Sequence, residues 1–199
     1  MIYIDEHIYG FDLEQALKTI SAQRREQALK YRHELGRRTC VLAYLLLKRA
    51  LSQEYGITDN PLFEYGEHGK PAIVGHPDIC FNLSHCRQAV ACAVSSQPIG
   101  IDVESIRNYH QSLVDYTMNA TEAAQICCAE QPAVAFTRLW TMKEARLKLT
   151  GEGITNRLKD VLNDRGYNYH TVECLQQGYI YTVCQREATS QSAGGTSES

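Results

Sequence analysis

Apolar residues recur at helical spacing in some stretches of this chain and at alternate positions in others. Ile2 to Tyr9 alternates apolar and polar residues and predicts a first strand. Asp12 can cap a helix carrying Leu13, Ala16, Leu17 and Ile20 at helical spacing, and Ser21 opens a second, arginine-rich helical stretch. A longer core helix is expected from Glu34 to Tyr55, with Leu35, Val41, Leu42, Leu45, Leu46, Ala50 and Leu51 on its apolar face and Gly56 ending it. Beyond Gly56 the pattern changes to short strands broken by Gly and Pro. Leu62–Tyr65 and Ala72–Val74 flank the turn from Gly66 to Pro71; Asp78–Leu83, Ala89–Ser95 and Ile99–Val103 follow. Helices return over Thr121–Glu130, with Thr121 as its cap, and over Pro132–Thr150, closed by Gly151. Tyr179–Cys184 alternates again. Each half runs strand, helix, strands, joined near Ser96-Gln97-Pro98. Without βαβ regularity the class is α+β.

A length of 199 residues suits one large domain or two small ones around a shared core. No window approaches 18 apolar residues, since the richest, Cys40–Leu47, runs into Lys48-Arg49; no membrane span is expected. The N-terminus lacks the basic and apolar regions of a signal peptide, which favours the cytoplasm. The eight cysteines show no C-x-x-C spacing and read as reduced thiols. His76, Cys80, His85 and Cys86 match no common zinc spacing.

The net charge of −3 hides an asymmetry. Between Lys18 and Arg49 lie nine Lys or Arg residues against Glu26 and Glu34, a local excess of seven positive charges. Such a stretch is either a solvated helix face or a surface for an anion or acidic partner. No RNA- or DNA-reading motif accompanies it, so no nucleic-acid partner is expected.

The chemistry concentrates in Gly100-Ile101-Asp102-Val103-Glu104 and Trp140-Thr-Met-Lys143-Glu144-Ala-Arg-Leu-Lys148. Asp102 and Glu104, two apart on a strand, project from one face roughly 6–7 Å apart. At an effective dielectric near 20 they repel by about 2–3 kcal/mol. Trp140, Glu144 and Lys148 recur one helical turn apart, adding a third acid and a cation to one stripe. Three carboxylates beside a lysine suggest a hard metal ion and an anionic, phosphorylated substrate.

Four blocks in order resemble the 4'-phosphopantetheinyl transferase family, in particular its larger Sfp-type branch. They are Gly69-Lys70-Pro71, Phe81-Asn82-Leu83-Ser84-His85, Gly100–Glu104, and Trp140-x-x-Lys143-Glu144-x-x-x-Lys148 with Gly151 and Gly153 behind it. Arg37-Arg38-Thr39 resembles the family's arginine-containing helix start. The resemblance covers roughly residues 20 to 155 and implies an enzyme that moves phosphopantetheine from coenzyme A to a serine of a carrier protein, leaving adenosine 3',5'-bisphosphate. It also implies two similar α+β halves related by pseudo-two-fold symmetry, with the active site in the cleft between them. The halves are placed at 1–96 and 97–186, followed by a disordered Ser/Gly-rich tail, 187–199. The resemblance to the fused-half branch implies a monomer, although this chain is short for that branch.

By the same resemblance Asp102, Glu104 and Glu144 hold Mg²⁺, and Glu144 is also a candidate base for the serine hydroxyl. Lys148 meets a coenzyme A phosphate; Gly69, Lys70, Pro71, Ser84, His85, Arg38 and, less centrally, Arg24 contact the nucleotide and its phosphates. Gln27 stands where the family often has a second basic residue, a departure from its outer phosphate contact. Lys143 points to another side of the helix, and Trp140 is expected to pack. Ser84 and His85 face opposite ways on an extended segment and cannot form a nucleophile–base pair with each other. A coenzyme A-binding protein without catalysis would have lost one of the three acids; all three are present.

Overall fold

Some helix starts fall where a side chain accepts a free amide of the first turn. A computed structural model of the chain describes residues 1–66, 69–151, 153 and 157–187. Glu67 and His68 of the predicted turn, and the expected tail from residue 188 on, lie outside the described residues. Asp12 accepts the amide of Gln15 at 3.1 Å and starts α1 (Leu13–Thr19); Ser21 accepts that of Arg24 at 3.2 Å and starts α2 (Ala22–Leu29). Helix α3 spans Glu34–Tyr55 and ends at Gly56, whose φ of 70° is the left-handed conformation glycine adopts without strain.

The strand β1 (Ile2–Asp5) stops before Tyr9 because Asp5 turns the chain by accepting the amide of His7 at 2.8 Å. β2 (Phe63–Tyr65) and β3 (Pro71–Ile73) form a separate antiparallel pair. β4 (Cys80–His85) and β5 (Val90–Ser95) complete a sheet of order β1-β5-β4. Alternate residues of β5 serve different cores: Val90, Cys92 and Val94 pack under α3, whereas Ala91 and Ala93 turn toward the next strand, β6 (Ile99–Ser105).

The second half contains α4 (Gln111–Thr117), α5 (Ala120–Cys128), α6 (Pro132–Thr150), a 3₁₀ turn (Leu158–Asp160), β7 (Tyr167–Cys174) and β8 (Tyr179–Arg186). Its sheet order is β6-β8-β7. Both three-stranded sheets thus place the first strand beside the last, which pairs in turn with the one before it. A long helix intervenes in each, α3 of 22 residues and α6 of 19. The class is α+β, as the sequence pattern implied. No helix among the described residues is long and apolar enough to cross a membrane, and all eight cysteines are free thiols.

Several elements and boundaries differ from the sequence reading: α4, β7 and the 3₁₀ turn were not expected, and β4 and β8 run past the expected Leu83 and Cys184. α4 and β7 lack a clean apolar period. α5 is capped by Asn119 rather than Thr121, because Asn119 and Glu122 exchange hydrogen bonds in a capping box and Thr121 falls inside the first turn.

The two large sheets meet edge to edge at β4 and β6 through side chains. The amide of Ile101 donates to Asn82 Oδ1 at 2.9 Å, and that of Val103 to Ser84 Oγ at 3.2 Å. The other face of β6 lies against α6. A Cβ on Gly100 would stand 2.0 Å from the Ala145 carbonyl oxygen and 2.7 Å from the Leu149 amide nitrogen, so only glycine admits this approach. Because Gly100, Asp102 and Glu104 share that face, close packing at Gly100 lays the Glu144–Lys148 turn of α6 over the two strand acids.

Candidate active site

Asp102 is the buried centre of the site, 2% exposed. Its Oδ1 accepts from Lys148 Nζ at 2.6 Å and from Ser84 Oγ at 2.9 Å, while Lys148 Nζ also reaches Ser84 Oγ at 2.9 Å. The i, i+4 arrangement read from the sequence therefore serves another purpose here: Lys148 bridges from α6 to the strand acid across the β4–β6 seam. Asp102 Oδ2 and Glu144 Oε1 are buried and have no hydrogen-bond partner. Unpaired buried carboxylate oxygens are costly, and a cation is what such atoms can accept.

Glu104 lies two residues along the same face and accepts a hydrogen bond from Trp140 Nε1 at 3.3 Å. Burial raises its pKa, and the Asp102 charge raises it further, against the opposing effects of Trp140, Lys148 and Arg107. Burial and then Asp102 raise Glu144 in the same way, with Lys148 opposing. The acids thus share an unfavourable field that one lysine does not cancel. Among the described residues no group of three or more His, Cys, Asp and Glu side chains is gathered closely enough to hold a metal ion by itself. The donor chemistry nevertheless fits a hard divalent ion such as Mg²⁺, which takes one or two carboxylates and fills its remaining positions with water and substrate phosphate oxygens.

The phosphate-side residues line connected cavities around these acids. A cavity of about 230 Å³ is walled by Gly69, Lys70, Pro71, Glu144 and Lys148. Gly69 has a φ of 75°, and Lys70 Nζ donates to the Leu149 carbonyl at the end of α6 at 2.8 Å. That carbonyl is one of the free acceptors at a helix C-terminus, where a cation is favoured. Burial lowers the Lys70 pKa. Gly69, Pro71 and Asn82 also wall a second cavity, about 280 Å³, with Arg24, Gln27 and His85. His85 in turn reaches a third, about 510 Å³, with Glu104 and Arg107. The His85 ring keeps solvent access, but its cleft walls, followed by Lys148 and Arg24, lower its pKa. Ser84 and His85 do face opposite ways, one toward Asp102 and one into the cavities.

The structure thus brings together Gly69, Lys70, Pro71, Ser84, His85, Asp102, Glu104, Glu144 and Lys148. Arg24 lines the neighbouring cavity with its guanidinium engaged by the Cys40 carbonyl, at 3.1 and 2.8 Å, and by Gln27 at 3.0 Å. Arg38 makes its contacts on the first-half side. It is held by Glu34 at 2.7 Å and the Phe11 carbonyl at 3.0 Å and lies over the Tyr9 and Phe11 rings. Lys143 is fully buried, paired with Glu122 at 2.9 Å and donating to the Leu158 carbonyl at 2.7 Å. Sequence reasoning missed two contributors. Trp140 stacks on Phe136 and also orients Glu104, a role its place one turn before Glu144 foreshadowed; Asn82 ties the seam from two residues before Ser84.

The sequence pattern of the 4'-phosphopantetheinyl transferase superfamily matches residues 98–187. The 4'-phosphopantetheinyl transferase psf-1 of Bacillus pumilus is 32% identical over 192 residues, covering 88% of this chain and 82% of the relative. The chain belongs to the 4'-phosphopantetheinyl transferase superfamily. The transferase Sfp of Bacillus subtilis (strain 168) is 30% identical over 157 residues, 77% of this chain and 70% of the relative. The transferase AcpT of Salmonella typhimurium is 38% identical over 112 residues, 54% and 55% of the two chains. As a phosphopantetheinyl transferase the chain carries all three acids and Lys148 inside the matched segment, whereas Lys70, Ser84 and His85 come from outside it.

Proposed function

We propose that this enzyme transfers the 4'-phosphopantetheine group of coenzyme A to a serine of an acyl or peptidyl carrier protein in a Mg²⁺-dependent reaction. The observation that carries this reading is the pair of buried, unpartnered carboxylate oxygens, Asp102 Oδ2 and Glu144 Oε1, in a cleft whose other walls are Lys70, Lys148 and His85. Excess negative charge next to fixed cations suits a divalent ion together with a pyrophosphate. Asp102, Glu104 and Glu144 would hold the ion, which supplies neutralisation of the pyrophosphate and of the charge developing on the leaving oxygen.

The serine oxygen attacks the phosphorus bearing pantetheine, and the bond from that phosphorus to the bridging oxygen breaks. Adenosine 3',5'-bisphosphate leaves with the bond's electron pair. Lys148 and Lys70 stand beside the phosphates as cations, and Gly69 lets the backbone approach the nucleotide. Glu144 takes the serine proton, directly or through one water. The basic stretch from Lys18 to Arg49 suits an acidic carrier. We place the enzyme in the cytoplasm as a monomer whose two halves, 1–96 and 97–186, meet at the cleft with pseudo-two-fold symmetry. The test is intact-mass analysis of an apo-carrier incubated with the enzyme, coenzyme A and Mg²⁺. One added phosphopantetheinyl group is expected; no gain with any of several carriers overturns the proposal.

A further inference from the structure

The cation on Asp102 belongs to the protein itself. Lys148 Nζ lies 2.6 Å from Asp102 Oδ1, yet the lysine side chain is 29% exposed and that of Asp102 3%. A partly exposed lysine side chain therefore places its ammonium group on a buried acid. Ser84 holds both ends of the pair, accepting from Lys148 and donating to Asp102. The lysine satisfies one oxygen of Asp102 and leaves Asp102 Oδ2 and Glu144 Oε1 unpaired, so it neutralises the cluster only in part. It also lines the cavity that Lys70 and Gly69 wall, where an incoming phosphate would meet it.

From this we infer that Lys148 occupies the metal's seat at Asp102 in the ligand-free enzyme, and that its release to a substrate phosphate couples metal binding to coenzyme A binding. The inference rests on the metal-dependent reading above. A divalent ion arriving alone must share Asp102 with the Lys148 ammonium group. Coenzyme A arriving alone would draw Lys148 away and leave its own phosphates beside bare carboxylates. When both arrive the cations exchange partners and no charge is left unpaired. Reciprocity then requires each ligand to raise the other's affinity by the same factor.

Calorimetric titration of Mg²⁺ into the carrier-free protein, with and without saturating coenzyme A, tests the coupling without any turnover. For the wild type, Mg²⁺ should bind about tenfold or more tightly when coenzyme A is present. In Lys148→Met the ligand-free protein should bind Mg²⁺ about tenfold more tightly than the wild type, since the resident cation is gone. Lys148→Gln, which keeps a hydrogen-bond donor near Ser84, should behave likewise and guards against a folding defect in the first variant. Asp102→Asn should abolish the tight binding in either background. Equal ligand-free Mg²⁺ affinity in wild type and both Lys148 variants overturns the seat-holding role while leaving the metal site intact. No Mg²⁺ binding to any of them, even with coenzyme A, overturns the metal reading and this role together.

Discussion

Glu104 and Glu144 are held in a field that disfavours their charged forms, and this has measurable consequences at single residues. In the metal-free protein Glu104 and Glu144 ionise above their ordinary value of 4.5. Between that value and the raised ones, the folded state keeps protons the unfolded chain has released, so stability falls as pH rises through the window. Glu144→Gln removes one of the two groups. Its melting temperature, followed from pH 4 to 8 in the absence of metal, should fall less than that of the wild type; parallel curves would contradict the account. The same substitution should lower turnover by about 10²–10⁴-fold, the range a general base contributes, with the fold intact by circular dichroism. These acids were legible because a two-residue period on a strand and a four-residue period on a helix each fix a face. The unpaired oxygens and the Lys148–Asp102 bond were not legible, since both depend on how α6 lies across β6.

At the scale of elements, the site depends on two contacts of α6. Gly100 is where the helix and β6 come closest, and the atoms a Cβ would meet are backbone, which cannot swing aside. Gly100→Ala should therefore cost about 1–3 kcal/mol in a denaturant titration, and it should lower activity with it by shifting Glu144 and Lys148 away from Asp102. Unchanged activity at reduced stability would show that the helix position is less critical than argued. The second contact is the Lys143–Glu122 pair, which binds α6 to α5, with the Leu158 carbonyl tying in the 3₁₀ turn. Lys143→Met strands the buried Glu122 charge and should destabilise by about 3–5 kcal/mol, whereas Lys143→Met with Glu122→Leu should recover most of that loss. A double variant as unstable as the single would refute the pairing. Sequence periodicity placed α6 and α3 at their observed limits because Gly56 and Gly151 terminate them in left-handed conformations. It missed β7, whose alternation slips by one residue at Thr171-Val172, and it set the α5 cap at Thr121 because the capping box is reciprocal and needs Glu122 to reach back.

Over the whole molecule, the cleft is assembled from two stretches of the chain, 69–85 and 102–148. The second half supplies the acids and Lys148, and the first supplies Lys70, Ser84 and His85 across a seam of side-chain hydrogen bonds. Arg38, on the arginine-containing helix start, is paired with Glu34 and the Phe11 carbonyl and lies over the Tyr9 ring, contacts that its motif position did not foretell. The central claim is that the cleft joins coenzyme A to a carrier serine by a single displacement. It is tested most directly by following both products in one reaction of enzyme, Mg²⁺, coenzyme A and apo-carrier, with adenosine 3',5'-bisphosphate measured by chromatography and the carrier by intact mass. The account predicts equimolar nucleotide and phosphopantetheinylated carrier, and neither product when the carrier serine is replaced by alanine or Mg²⁺ is chelated. Nucleotide released without a modified carrier, or full modification after chelation, would contradict it.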